Sequence, residues 1–376
     1  MEDDTMALEL STERSATWAG LQRRYWAGGT PQEVGRLRHE LQDWVQALPE
    51  HAEAWLYLGT LQEHQGQAPA AAWAYLEAIS RAQMAGQWRD NATTPVPLRA
   101  TVAHAVGRLR GSRRLALQGA LQAMCHRHGK DEMARVSLAV AGYLKEQPVP
   151  THSPHQVPKF FHFPGLRPGP FFSADDVPFA PALRQAFPEV RAEAARLYAQ
   201  GAFSESFIPE AARPGMAGYV AGPDGPGRWD AYFFFRRGRR FDAHHDACPA
   251  TSRLLASIDL CRIPSQTPEI CFSLLAAGST ILPHHGTSNI RLVVHLPLIV
   301  PPDCALHVFG GGEAAWGEGE VGCFDDTFLH EAWNRSGQDR IILLMDSWHP
   351  DLTRAEREAV CLFVDLVDRW SWLTRG

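Results

Sequence analysis

A chain of 376 residues is long enough for two domains with separate cores. It is 45% hydrophobic and 21% charged, and a net charge of −6 leaves no global basic field, which argues against nucleic acid as the main partner. Seven cysteines (125, 248, 261, 271, 304, 323 and 361) are scattered without a C-x-x-C pair, so reduced thiols are expected in place of a disulfide framework or a structural zinc site.

The chain starts Met1-Glu2-Asp3-Asp4 and has no apolar run of signal-peptide type, and no stretch of about 18 apolar residues follows. A cytoplasmic location without a membrane partner is the expectation. From residue 12 to about 145 the apolar residues recur at helical spacing. The segment Ala54-Trp55-Leu56-Tyr57-Leu58-Gly59, then Gly66, then residues 70–79 resembles one tetratricopeptide unit, and Gly59, Ala71 and Ala72 would let paired helices approach closely. A weaker echo runs from Trp18 to Leu48, and further helices are predicted over 115–127 and 132–143. A generic helical bundle is the plain alternative to a repeat. Stacked helix pairs suit peptide or protein docking.

Four prolines between 146 and 159 mark an extended linker, which gives a helical domain over 1–146, a linker over 147–159 and a second domain over 160–376. An amphipathic helix is predicted over 180–199. The pattern then turns to short strands over 229–235, 269–276, 279–283, 290–299, 304–309, 320–324 and 339–346, as in a jelly roll or double-stranded β-helix. The fold class is thus α + β in two domains. The cluster Arg236, Arg237, Arg239, Arg240 reads as a solvated rim with a binding role as the alternative. His244-His245-Asp246 reads as a surface loop, and 352–373 as a final helix capped by Thr353 with Glu356 three residues on.

The chemistry gathers between 283 and 350. His284 sits at a strand edge before Gly286, His330 follows 46 residues later, and Arg340 comes ten after that. Two histidines at a barrel mouth can hold Fe(II) on one face, and an arginine on the next strand can match the distal carboxylate of 2-oxoglutarate. The usual third ligand, a carboxylate two residues after the first histidine, is absent because Gly286 stands there.

The stretches PHHGTSNIRL, the HLPL after Val294, W-x-E-G at 316–319, FDDTFLHEAW at 324–333 and DSWHPDLT at 346–353 resemble the catalytic domain of the aspartyl/asparaginyl β-hydroxylases, over some 220 residues from about Phe160. That family binds iron with two histidines and no carboxylate, and often carries a tetratricopeptide-like domain in front. The resemblance implies His284 and His330 as iron ligands, Ser273 and Arg340 at the distal carboxylate of 2-oxoglutarate, and His295 against the cosubstrate near the metal. It also implies Asn289 and Arg291 facing cosubstrate or substrate, with Asp325 and Asp326 fixing the turn around His330. Fe(II), 2-oxoglutarate and O₂ are then the cofactor and cosubstrates, and a peptide or protein aspartyl/asparaginyl residue is the implied substrate. The animal members read Arg-Leu-Arg where this chain has Arg291-Leu292-Val293, so carboxylate recognition from that strand is expected to be weaker. A free or carrier-bound amino acid substrate, a halogenase using the open ligand position, and a non-catalytic scaffold are competing readings.

Overall fold

The computed structural model describes residues 2–109, 112–208, 219–223 and 225–373. They form two compact units, residues 1–130 with 365–376, and residues 131–364. The division differs from the boundaries read in the sequence. Residues 131–159 fold with the second unit, and the end of the last helix folds with the first.

The first unit is helical: α1 (Glu2–Ala27), α2 (Pro31–Ala47), α3 (Ala52–His64), α4 (Ala68–Met84), α5 (Arg99–Leu109) and α6 (Arg113–His128). Helix α2 starts where the sequence provides a reciprocal cap. Pro31 opens it, the Thr30 hydroxyl accepts from Glu33 N at 3.4 Å, and the Glu33 carboxylate accepts from Thr30 N at 2.8 Å. Helix α4 is buried because two neighbours approach it at glycines. A Cβ on Gly59 of α3 would lie 2.7 Å from the Tyr75 ring, and one on Gly119 of α6 would lie 2.0 Å from Pro69 O.

Glu77 of α4 is buried among these helices, and Arg369 from the C-terminal helix (Arg354–Leu373) answers it. The guanidinium donates to both Glu77 oxygens at 2.9 and 2.8 Å and to Ser80 Oγ at 2.9 Å, and it pairs with Asp365 at 2.7 Å.

The second unit holds α7 (Ala134–Tyr143), α8 (Ala180–Ala199) and two antiparallel sheets. The larger sheet runs β1 (Phe171–Phe172), β12 (Gly322–Phe324), β9 (Arg291–Ile299), β14 (Arg340–Trp348), β7 (Ile270–Leu275), β5 (Trp229–Arg236), β2 (Glu205–Ser206), with β6 (Arg239–Arg240) paired to β5. The smaller runs β11 (Gly312–Ala315), β10 (Cys304–Val308), β13 (His330–Asn334), β8 (Thr280–His284), β3 (Val220–Gly222), β4 (Gly225–Pro226).

Strand period two decides which face each residue serves. On β9, Leu292, Val294, Leu296 and Leu298 pack outward with Leu183, Val190, Ala194 and Leu197 of α8, while Arg291, Val293 and His295 point inward. On β14, Ile341, Leu343 and Met345 join the outer core, and Arg340, Ile342, Leu344 and Asp346 face in. The central strands are therefore buried on both faces, which explains their weak alternation in the sequence. A second core, with Leu275, Val293 and Phe324 from the larger sheet and Ile281, Leu306 and Ala332 from the smaller, closes the two sheets on each other.

Each predicted strand is present within a few residues, but several others are not in the sequence reading. The most consequential is β13. His330 opens this strand, in a stretch where no strand is predicted from the sequence.

Residues 147–159 are no free spacer. Leu329 N donates to His155 O at 2.8 Å, Val157 N to Thr327 O at 2.9 Å, and Lys159 N to Gly286 O at 3.1 Å, so this segment braces both loops that carry the candidate histidines. His244 and His245 also depart from the surface loop expected. They lie on a short helix (Asp242–Ala247), with His244 stacked on Tyr232 and His245 buried against Phe234 and Phe235.

Candidate active site

A cavity of about 560 Å³ opens between the sheets, within the size range of small-molecule sites. His284 ends β8 and His330 begins β13, and the two are direct cross-strand partners. Their ring centroids lie 4.0 Å apart. Each Nδ1 sits against a backbone carbonyl, Leu282 O at 2.8 Å and Phe328 O at 2.9 Å. Nδ1 must therefore carry the proton, leaving the Nε2 lone pair to bind a metal. Burial, then the neighbouring His330, pulls His284 down to about 3, and burial lowers His330 as well, so both rings stay neutral at pH 7.

Among the described residues no group of three or more His, Cys, Asp or Glu is placed to hold a metal ion. The reason is visible at Gly286, where a Cβ would lie 2.1 Å from Asp326 Cγ. The Asp326 carboxylate fills the space that a side chain at 286 would need. Its Oδ2 accepts from Arg291 at 2.8 Å, and its buried Oδ1 has no partner. The donor set is two imidazoles with an acidic neighbour, and it fits a mononuclear cation with open positions.

At the other end of β14, Arg340 is only 1% exposed, yet among the described residues no carboxylate pairs with it and its Nε has no hydrogen bond. Its guanidinium lies 4.4 Å from the centroid of the Trp316 ring. Burial pulls its pKa down to about 10, so it remains a cation at pH 7. Ser273 is fully buried on β7, two residue pairs along from the Arg340–Leu275 register, and accepts from Trp229 Nε1 at 2.9 Å. His295 lies opposite Leu344 with its ring edge-on to Trp316 at 5.5 Å. Burial and then Arg340 push it down to about 3, so it too is neutral.

His284, His330, Ser273, His295, Arg291 and Arg340 all line this cavity. Asn289 does not. Its Oδ1 accepts from Phe163 N at 2.8 Å and its Nδ2 donates to Phe163 O at 2.8 Å, so the amide is used to fasten the entry segment. Arg291 reaches the cavity but is not free to meet a ligand, because Asp326 (2.8 Å) and Asp346 (3.0 Å) hold it. Asp325 lies behind the His330 turn, where it accepts from Thr327 N and from buried Gln156. Trp316, Trp229 and Tyr219 line the cavity and were missed in the sequence. Trp316 opens the W-x-E-G stretch, the one signal that could have marked it.

The family model described as Aspartyl/Asparaginyl beta-hydroxylase matches residues 184–350. The chain is 33% identical over 250 residues to aspartate beta-hydroxylase domain-containing protein 2 of Mus musculus, a match covering 64% of this chain and 68% of that protein. The chain belongs to the aspartyl/asparaginyl β-hydroxylase family. It is therefore placed among hydroxylase enzymes. The aspartyl/asparaginyl beta-hydroxylase of Homo sapiens is 32% identical over 138 residues, which is 36% of this chain and 18% of that protein. The β-hydroxylase match thus falls on the sheet unit and α8, while α1 to α7 precede the residues matched by the family model. A crystal structure of a Pseudomonas putida prolyl-4-hydroxylase is similar at 16% identity and a TM-score of 0.24, over 46% of this chain and 88% of that one, a likeness too slight to bear on the fold.

Proposed function

We propose that this chain is an Fe(II)- and 2-oxoglutarate-dependent hydroxylase of the β-carbon of an aspartyl, asparaginyl or related residue in a peptide or protein. One observation supports the cosubstrate most strongly: Arg340 is a buried cation without a counter-ion among the described residues, in the same cavity as the histidine pair. Burying a charge without a partner costs several kcal/mol, so an anionic ligand is the natural complement. We read the two sheets as a double-stranded β-helix and the α3–α4 pair as tetratricopeptide-like, with the helical unit serving to dock a peptide or protein. The seven free thiols favour a reducing compartment such as the cytoplasm.

In this reading His284 and His330 hold the metal through Nε2. Arg340 and the Ser273 hydroxyl receive the distal carboxylate, and Trp316 covers the guanidinium and excludes water. Neutral His295 packs beside them without adding charge. Arg291 fixes the Asp326 carboxylate against the Gly286 backbone, which orients the space next to the histidines. Bound together, iron, 2-oxoglutarate and O₂ supply the oxidation that puts a hydroxyl on an unactivated carbon, with succinate and CO₂ as coproducts. The negative Asp326 carboxylate at the position vacated by residue 286 disfavours a halide there, which weighs against a halogenase.

The test is anaerobic titration of the purified protein with Fe(II) and 2-oxoglutarate, watching the metal-to-ligand charge-transfer absorbance. A band should form in the parent, vanish in His330→Ala and need far more 2-oxoglutarate in Arg340→Ala. A folded parent protein that gives no band would leave the scaffold reading in its place.

A further inference from the structure

The strand that faces the substrate side of the cavity offers no free positive charge. Arg291 is held by Asp326 and Asp346, and Val293 is neutral. Among the described residues four arginines line the cavity. Arg291 is paired, Arg340 lies buried on β14, and Arg236 pairs with Glu205, donates to Phe207 O at 2.8 Å and stacks on Phe233. Arg237 is exposed and has no hydrogen bond, ion pair or ring contact among the described residues.

The register places Arg237 at a telling level. Asp346 lies opposite Val293, Glu269 N donates to Asp346 Oδ2 at 2.8 Å, and the next pairing inward joins Ile270 to Phe235. Counting on from that pair sets Arg236 beside Glu269, at the height of Val293 three strands away, with Arg237 one residue beyond, roughly 14 Å across the sheet at the usual strand spacing. An arginine side chain leaning back covers part of that distance, and the substrate bridges the rest.

The backbone gives an independent sign. Arg237 and Gly238 are the two central residues of the β5–β6 turn, with φ values of 51° and 77°. Such turns favour Asn-Gly or Asp-Gly, and a long β-carbon-bearing side chain at the first position is strained. The turn is fixed in place by Gly238 N donating to Pro268 O at 3.0 Å, beside the Ser265, Gln266 and Thr267 stretch of the cavity rim. A strained residue held at a rim, with an unused charge, is the mark of a residue kept for a ligand.

We propose that Arg237 is the specificity-determining cation of this cavity, receiving a carboxylate of the substrate from the β5–β6 turn in place of a charge on β9. The proposal rests on the hydroxylase reading above. It commits the substrate to an acidic side chain, and it moves the point where that acid is read.

The experiment uses the full chain with Fe(II) and 2-oxoglutarate, without oxygen. Acetylated, amidated Ala-Asp-Ala and Ala-Glu-Ala are titrated calorimetrically against the matching Asn and Gln peptides. At least one acid should bind about ten- to a hundredfold more tightly than its amide, the range for one charge-assisted hydrogen bond. Arg237→Asn should erase that preference, and Arg237→Lys should retain part of it. The Asn variant should melt no lower than the parent, because asparagine suits the turn, and should give the same charge-transfer band. A parent protein that does not prefer the acids, or a preference that survives Arg237→Asn, overturns the proposal. Loss of the band in the parent refutes the hydroxylase reading instead.

Discussion

Two buried arginines, one in each unit, show how differently a protein can use the same ion. Arg369 in the helical unit is 8% exposed and answered by Glu77, Ser80 and Asp365. Arg340 in the sheet unit is 1% exposed and, among the described residues, answered by an aromatic face alone. Nε is unpartnered in both. Their pKa values move apart accordingly. Burial lowers both, but Glu77 and Asp365 reverse the effect at Arg369, whereas nothing reverses it at Arg340. A satisfied buried charge is part of the fold, and an unsatisfied one is a vacancy for chemistry.

The largest expected effect is on cosubstrate binding. Arg340→Met should weaken 2-oxoglutarate by about 3–6 kcal/mol, the sum of two charge-assisted hydrogen bonds. The unliganded variant should melt no lower than the parent, since an uncompensated charge has been removed. In the parent, 2-oxoglutarate with Fe(II) at a hundred times its dissociation constant should add about 2.7 kcal/mol of stability, and none at that concentration in the variant. A variant that melts far below the parent without ligand would put Arg340 in the same class as Arg369.

Arg369→Met should do the reverse. Removing one partner of a buried pair costs up to about 3–5 kcal/mol, and less here because Glu77 keeps Arg81 at 2.6 Å. Calorimetry should show the loss, with 2-oxoglutarate affinity unchanged.

The smallest effect is a pH dependence. Burial pushes the Glu77 carboxyl up, but Arg369 and Arg81 hold it below its ordinary 4.5. A depressed carboxylate stabilises the fold above its unfolded pKa, and that stability is lost as pH falls through the folded value. Glu77→Gln should therefore lower the melting temperature at pH 7, with the gap to the parent closing as pH drops below 4.5. A gap constant with pH would mean that the pair contributes packing alone.

The sequence made the inward residues legible where their types are rare and their spacing long. His284, His330, His295, Ser273 and Arg340 could be picked from strand edges and shared motifs, and all line the cavity. Asn289 could not be judged from its neighbours, because its partner is the backbone of Phe163, 126 residues away. The pairing of Arg291 with Asp326 and Asp346 was hidden for the same reason. Strand β13 escaped because His-Glu-Ala-Trp-Asn has no alternation and no β-branched residue. Two-residue strands such as β1, β2 and β6 fall below any periodicity. The proline-rich stretch before 160 read as a spacer because the hydrogen bonds that brace it, from Val157, Lys159 and His155, go to distant loops.

The contact between Gly286 and Asp326 also constrains how this chain can evolve. A carboxylate at 286 would collide with Asp326 at 2.1 Å, and trimming Asp326 first would strip Arg291 of one of its two partners. Either order of change passes through a damaged intermediate. On the proposed reading, a third protein ligand at 286 therefore needs the Asp326 carboxylate to leave its place beside Arg291, which guards the two-histidine arrangement against single substitutions.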